Sequence, residues 1–416
     1  MQKIVSLLLA AAVFSAFLSG CSPETAGSGS SASLSDERPG AAAGESGAPQ
    51  KNAKATASRP EESSAAPNTQ RVPEVGAPDP SSSVLPSGSS SEPEPRTEQS
   101  REANSQTEPQ TEPEAVAGEQ PISPWTYQKL LGKGMDVDWS KTNQGRKYYN
   151  AQAAEDFAAA GVSHVRIRIA DWASSDLLEG LDRQIADCLE HGLLPVIAYQ
   201  ADDFKNDPDE KNVQKVVDWW SKVARRYQDA SYLLSFDLLL EATDALNKQP
   251  EALNELYEML VTEIRKTNPE RIIMISPRLR SDAAYLHELE IPSSHNGYLM
   301  AEWHFYASGP SKTNDRKLWT TGSDHERSLI DEKIALALAW QKETGIPTWV
   351  GAWMPGNYND GNDYTIEEQV AFASYMTRQL TAAGIPFAVN SDTKFYDRKA
   401  NEWIPEMKPV FDCIYH

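Results

Sequence analysis

Aromatic residues are missing from a long early stretch of the chain. Between Cys21 and Trp125 there is no Phe, Trp or Tyr, and all 11 tryptophans lie at or after Trp125. Such a stretch cannot bury enough apolar surface to offset the entropy of ordering it. Of the 416 residues, the foldable part is therefore about 290, from Trp125 onward, enough for one large domain. Basic clusters are also missing. The formal net charge is −21, and no run of Lys and Arg stands out against it. Nucleic acid is excluded as an expected partner, because a polyanion needs concentrated positive charge. Cysteine is scarce, with only Cys21, Cys188 and Cys413. A disulfide between the last two would suit an exported protein, but two buried free thiols are the preferred reading.

The first twenty residues read as a targeting segment. Lys3 supplies a short positive region, and Ile4 to Phe17 is almost unbroken apolar sequence, too short for a stable membrane anchor. Leu18-Ser19-Gly20-Cys21 follows. It resembles the lipobox of bacterial lipoproteins, which implies cleavage before Cys21 and a diacylglycerol on its sulfur. The alternative is an ordinary secretory signal with a chance cysteine. Two or three acyl chains would give stable attachment to a membrane.

From Cys21 to residue 121 the sequence is Ser, Pro, Gly, Ala, Glu, Gln and Thr, with segments such as Ser81-Ser82-Ser83 and Glu92-Pro93-Glu94-Pro95. This composition reads as a disordered spacer. A flexible coil of ~100 residues has an end-to-end distance of roughly 50–60 Å.

Residues 122–416 alternate short apolar runs with amphipathic stretches. Strands are expected at 134–137, 164–169, 194–199, 233–239, 271–275, 298–304, 348–352 and 387–390. Helical patterns separate them, weakest in the fifth crossover near Ala283–Glu288. Gly161, Gly192, Gly345 and Gly384 fall where helices should end. Eight strand–helix repeats predict a (β/α)8 barrel. Gly132-Lys133-Gly134 precedes its strand, so it is not a phosphate-binding turn. Active residues of such a barrel sit at the C-terminal ends of the strands.

Those strand ends carry a pattern. Strand two reads His164-Val165-Arg166-Ile167-Arg168-Ile169, with both arginines on one face. A buried Arg needs acidic partners, and Asp136, Asp138, Asp237 and Glu302 are the candidates. Strand four leads into Leu238-Leu239-Leu240-Glu241-Ala242, and strand six reads Ala301-Glu302-Trp303-His304-Phe305-Tyr306. Period-two alternation puts Glu302, His304 and Tyr306 on one face. With Phe157 and Gly161 upstream of Arg166, and Phe395-Tyr396-Asp397 and Asn401-Glu402-Trp403 near the end, these segments resemble glycoside hydrolase family 5 across residues 130–416. The resemblance implies a retaining glycosidase architecture. Glu241 would be the acid/base, His304 and Tyr306 the strand-six pair, and Arg166 the arginine beside the nucleophile. The implied ligand is a β-linked polysaccharide of the β-glucan or β-mannan type. No cofactor and no metal are expected, and the protein should be a monomer.

The sequence also departs from that pattern. Ala352 stands where the family has its nucleophilic Glu, Leu240 where it has Asn, and Gln200 or Ala201 where it has the strand-three His. Asn390 stands at the strand-eight Trp and is expected to contact the sugar. Three readings stay open. One is a glycan-binding barrel that does not cleave. Another is an active enzyme with a relocated nucleophile, Glu302 first and Asp237, Asp360, Asp363 or Asp392 after it. The third is a structural surface protein without a sugar ligand. Trp172, Trp353, Tyr358 and Phe204, just past strand ends, are expected to form a rim that stacks on sugar rings.

If Cys21 carries lipid, Cys21→Ala should move the protein from membrane fractions to the medium or leave an uncleaved precursor. Unchanged membrane partition with a cleaved N-terminus would refute the lipobox.

Overall fold

A computed structural model describes residues 119–306, 319–356 and 364–416. Cys21, the spacer, Tyr358, Asp360 and Asp363 lie outside the described residues. Eight parallel strands close into a barrel in chain order. They are β1 (Lys133–Val137), β2 (His164–Ile169), β3 (Leu194–Tyr199), β4 (Ser235–Asp237), β5 (Ile273–Ile275), β6 (Leu299–Tyr306), β7 (Thr348–Met354) and β8 (Phe387–Val389). β8 pairs back onto β1. The fifth crossover is weak, as its sequence suggested: Ala283–Glu288 is a 3-10 helix.

Local signals explain the outer layer. The helices Asp324–Thr344 and Ile366–Ala383 each begin with a capping box, Ser323 with Glu326 and Thr365 with Glu368. Each ends on a left-handed glycine, Gly345 at φ 73° and Gly384 at φ 66°, a conformation that costs glycine nothing. Cys188 and Cys413 are free thiols.

One element escaped the sequence reading. Helix Pro124–Leu131 starts on a Ser123 cap. Its Tyr127 and Leu131 pack inside the barrel with Leu194, Val196, Met274, Met300 and Trp349. This apolar plug closes the N-terminal end. Directly above it His164 is fully buried, donating from Nδ1 to Leu131 O and accepting from Trp349 Nε1 at Nε2. Burial holds this imidazole neutral, with its pKa down at about 4. Gly134 makes room for it, since a Cβ there would lie 2.2 Å from the ring.

Two expected rim aromatics belong instead to the barrel wall. β7 runs two residues further than expected and carries a register shift between Val350 and Trp353. The extra residue turns Trp353 outward, where it is fully buried against Phe372 and Phe387. Phe204 is likewise fully buried in the core. Neither can meet a sugar.

Arg271, at the entry to β5, ties a loop to the barrel. Its guanidinium donates to the carbonyls of Tyr227, Ala230, Ser231 and Leu234 and to Asn268 Oδ1 at 2.7–3.0 Å. Orphaning a buried acceptor costs ~1–3 kcal/mol. Arg271→Met should therefore lower stability by about 3 kcal/mol or more in urea unfolding. A loss under about 1 kcal/mol would mean that the loop satisfies those carbonyls without it.

Candidate active site

Above the apolar plug, the barrel interior turns ionic. Arg166 on β2 is fully buried. Its Nε donates to Asp237 Oδ2 on β4 at 2.7 Å, and its Nη2 lies 2.5 Å from Glu302 Oε1 on β6. Asp136 on β1 is 3.5 Å from Nη1. All four candidate acids expected for the two arginines are engaged, because Arg168 binds Asp138 at 2.6 Å and lies 3.6 Å from Asp136.

The cluster sorts its carboxylates by environment. Burial, opposed by Arg166, pushes Asp237 up to about 8. It pushes Asp136 upward too, against Arg166 and Arg168. Burial opposes ionisation of Glu302 as well, but Arg166 and His304 outweigh it and hold Glu302 below the usual range. Glu302 occupies space that a side chain at 351 would need, since a Cβ on Gly351 would lie 1.8 Å from its Oε1.

His304 carries the cluster upward. Its Nε2 is 2.5 Å from Glu302 Oε1 and its Nδ1 is 3.3 Å from Glu241 Oε1. Burial disfavours its cation, yet Glu302 and Glu241 lift its pKa to about 9. The ring is thus an imidazolium standing between two carboxylates.

Glu241 follows β4 with φ 61°, a left-handed backbone unusual for Glu. Its Oε1 accepts from Tyr306 Oη at 2.9 Å, and its Oε2 accepts from Arg280 Nη1 at 3.2 Å. Arg280 lies in an unusual turn, for Leu279, Arg280 and Ser281 all have φ between 54° and 60°. Arg280 N donates to Ala242 O at 2.8 Å and so binds this turn to the residue after Glu241. Sequence reasoning missed Arg280, because nothing in Leu-Arg-Ser advertises a left-handed turn.

On the opposite wall, Asn390 Nδ2 donates to Tyr306 Oη at 3.4 Å, and its Oδ1 accepts from Arg168 at 2.9 Å. Asp392 is fully buried against Arg398, and burial raises its pKa to about 6. A cavity of about 220 Å3 lies at the C-terminal end of the barrel, lined by Asn390 but not by Asp392. Glu241, His304, Tyr306, Arg166 and Asn390 line it, and so does Gln200 rather than Ala201.

Three expected roles are corrected. Glu302 does not line the cavity; it is fully buried beneath, committed to Arg166 and His304. Asp237 is also fully buried and bound to Arg166. Trp172 is 43% exposed but sits away from the cavity, with the Lys222 ammonium 4.5 Å from its ring centroid. Ala352 is buried against Tyr306 and Met354, so β7 presents a methyl group where the resemblance expects a carboxylate.

A (β/α)8 barrel with a glutamate after β4, a His-x-Tyr pair ending β6 and a buried arginine on β2 defines a glycosidase-type scaffold. The family model for Cellulase (glycosyl hydrolase family 5) matches residues 128–391, and the chain belongs to that family. Endoglucanase H of Acetivibrio thermocellus is 22% identical over 326 residues, covering 72% of this chain and 34% of that protein. The chain thus spans about a third of that curated relative's length. Among solved structures, endoglucanase Cel5A of Thermotoga maritima is similar with a TM-score of 0.62 at 21% identity, covering 70% of this chain and 100% of that one. The clostridial cellulose synthase subunit Z of Clostridioides difficile is similar with a TM-score of 0.59 at 19% identity, covering 69% and 100%.

Stability should fall with rising pH on the alkaline side. The pKa of His304 is raised from 6.5 to about 9 on folding. Its contribution is fully present below about pH 6.5 and is lost as pH passes about 9. Asp237, held neutral up to about 8, acts in the same direction. Urea midpoints of the wild type should decline between pH 6.5 and 9, and His304→Gln should flatten that decline. An unaltered slope would remove His304 as its source.

Proposed function

We propose that this chain is a glycan-binding member of family 5, held at the cell surface through Cys21, that recognises β-linked polysaccharide without cleaving it. The observation that carries this reading is Ala352. Retaining hydrolysis needs a second carboxylate about 5–5.5 Å from the acid/base. Here the end of β7 supplies a methyl group packed on Tyr306 and Met354. The nearest acid on the neighbouring strand, Glu302, is sealed beneath His304 and Arg166. Without a nucleophile, a protonated leaving oxygen gains nothing, because no group captures the glycosyl cation from its opposite face.

Binding needs less, and the cavity supplies it. Glu241 and Asn390 offer hydrogen-bonding oxygens and nitrogens in fixed positions. Gln200 Oε1 is buried with no hydrogen-bond partner among the described residues, a state that a sugar hydroxyl would relieve. Thermotoga maritima Cel5A has been solved with cellobiose and with mannotriose, which supports β-glucan or β-mannan chains as ligands. The spacer's composition supports reach: a domain tethered by ~100 flexible residues can search tens of ångströms from its anchor.

The test pairs calorimetric binding of cello- and manno-oligosaccharides with a reducing-end assay. The wild type should bind and release no reducing ends above background. Glu241→Gln should weaken binding about tenfold, ~1.4 kcal/mol. Ala352→Glu with Leu240→Asn should create measurable hydrolysis. Robust wild-type turnover abolished by Glu302→Gln would overturn this reading in favour of a relocated nucleophile.

A further inference from the structure

We infer that Arg280 is a positioning residue that holds Glu241 as a carboxylate, so that Glu241 serves the cavity as a hydrogen-bond acceptor for a sugar hydroxyl and not as a proton donor. This rests on the glycan-binding reading and specifies how its central residue works.

Two of the donors facing Glu241 are oriented from behind. Arg168 donates to Asn390 Oδ1, which turns Asn390 Nδ2 toward Tyr306 Oη. The Tyr306 hydroxyl proton is then directed at Glu241 Oε1, 2.9 Å away. Glu302 takes the Nε2 proton of His304, and the Nδ1 proton faces the same Oε1 at 3.3 Å. The third donor is Arg280, whose Nη1 meets Oε2 at 3.2 Å. A guanidinium has donors only. A protonated Glu241 would find no acceptor among these three partners, and a proton on Oε2 would displace a charge-assisted bond. The lift of the His304 pKa to about 9, to which Glu241 contributes, is the other side of the same pairing.

Arg280 is delivered by a turn that is tied down on both sides. Leu279, Arg280 and Ser281 all lie in the left-handed region, which is costly for residues other than glycine. Arg280 N donates to Ala242 O at 2.8 Å, and Leu279 N donates to Asn247 Oδ1 at 2.8 Å. Both acceptors belong to the loop that carries Glu241. Arg278 adds two bonds to Glu288, at 2.6 and 2.8 Å. Arg280 thus reaches Glu241 from a fixed turn and does not itself line the cavity.

The surrounding charges fit this arrangement. In a retaining hydrolase the nucleophile's negative charge, about 5–5.5 Å away, favours a protonated acid. Here that position holds Ala352. Among the other acids of the lining, Asp136 lies within 3.6 Å of Arg166 and Arg168, and Asp138 binds Arg168. Lys141 and Lys394 complete its charged groups. Glu302, below, is bound to Arg166 and His304.

Carboxyl carbon NMR on the full chain tests this, with the Glu241 signal assigned by its loss in Glu241→Gln. The wild-type Glu241 carboxyl should titrate below about 4.3, the ordinary glutamate value. Arg280→Met should raise that midpoint by about one pH unit or more, and Arg280→Gln serves as the second variant if the first does not fold. Saturating cellohexaose near neutral pH should move the signal and leave it that of a carboxylate. A wild-type midpoint at or above the ordinary value, a midpoint indifferent to the Arg280 variants, or a signal unmoved by bound cellohexaose would overturn the inference alone. The titration itself needs no sugar. Failure of cello- and manno-oligosaccharides to bind, or cleavage of either, would instead overturn the glycan-binding reading beneath it.

Discussion

The interior of this barrel is organised around one buried guanidinium. Arg166 is fully enclosed, and removing such a group from water costs several kcal/mol even after relaxation. That cost is tolerable only if acids converge on it from several strands, and they do: Asp136 from β1, Asp237 from β4 and Glu302 from β6. The convergence explains the layering of the barrel. An apolar plug lies below, the ionic layer fills the middle, and the hydrogen-bonded cavity opens above. Each layer fixes the next, for Glu302 sets the protonation of His304, and His304 faces Glu241.

The fold was legible in periodicities, and the family in motifs that resemble glycoside hydrolase family 5. The two-residue period of β6 put Glu302, His304 and Tyr306 on one face, and the alternation of β2 did the same for both arginines. Charge balance gave four candidate acids for the two arginines, and the structure divides them, with Asp138 going to Arg168. Depth was not legible. Nothing in Ala301-Glu302-Trp303-His304 says that Glu302 lies a layer below the cavity floor, because a strand's face is readable from its pattern while its height in the barrel depends on stagger.

The misreading of Trp353 has a local cause. The sequence suggested that the strand ends at Ala352, with Trp353 just beyond it. The irregularity between Val350 and Trp353 breaks the period, and a single extra residue reverses which face a side chain takes. Trp353 therefore joins the outer core. Bulges leave no reliable composition mark, and neither do three consecutive non-glycine residues in the left-handed region, as at Leu279–Ser281. Both irregularities lie beside the cavity, which fits the tendency of strained backbone to gather at functional sites.

The Ala352 position and the Glu302 position are best understood together. In the family pattern, the arginine on strand two lies beside a carboxylate on strand seven, which also does the chemistry. Here Arg166 still has its carboxylate, but Glu302 brings it from the adjacent strand, and Gly351 leaves the room it needs. The electrostatic half of the nucleophile's work is therefore retained: the guanidinium is neutralised and His304 is kept protonated. Attack requires an oxygen exposed to the sugar, and Glu302 is fully buried. On the proposed glycan-binding reading, this separation leaves the cavity above to recognition.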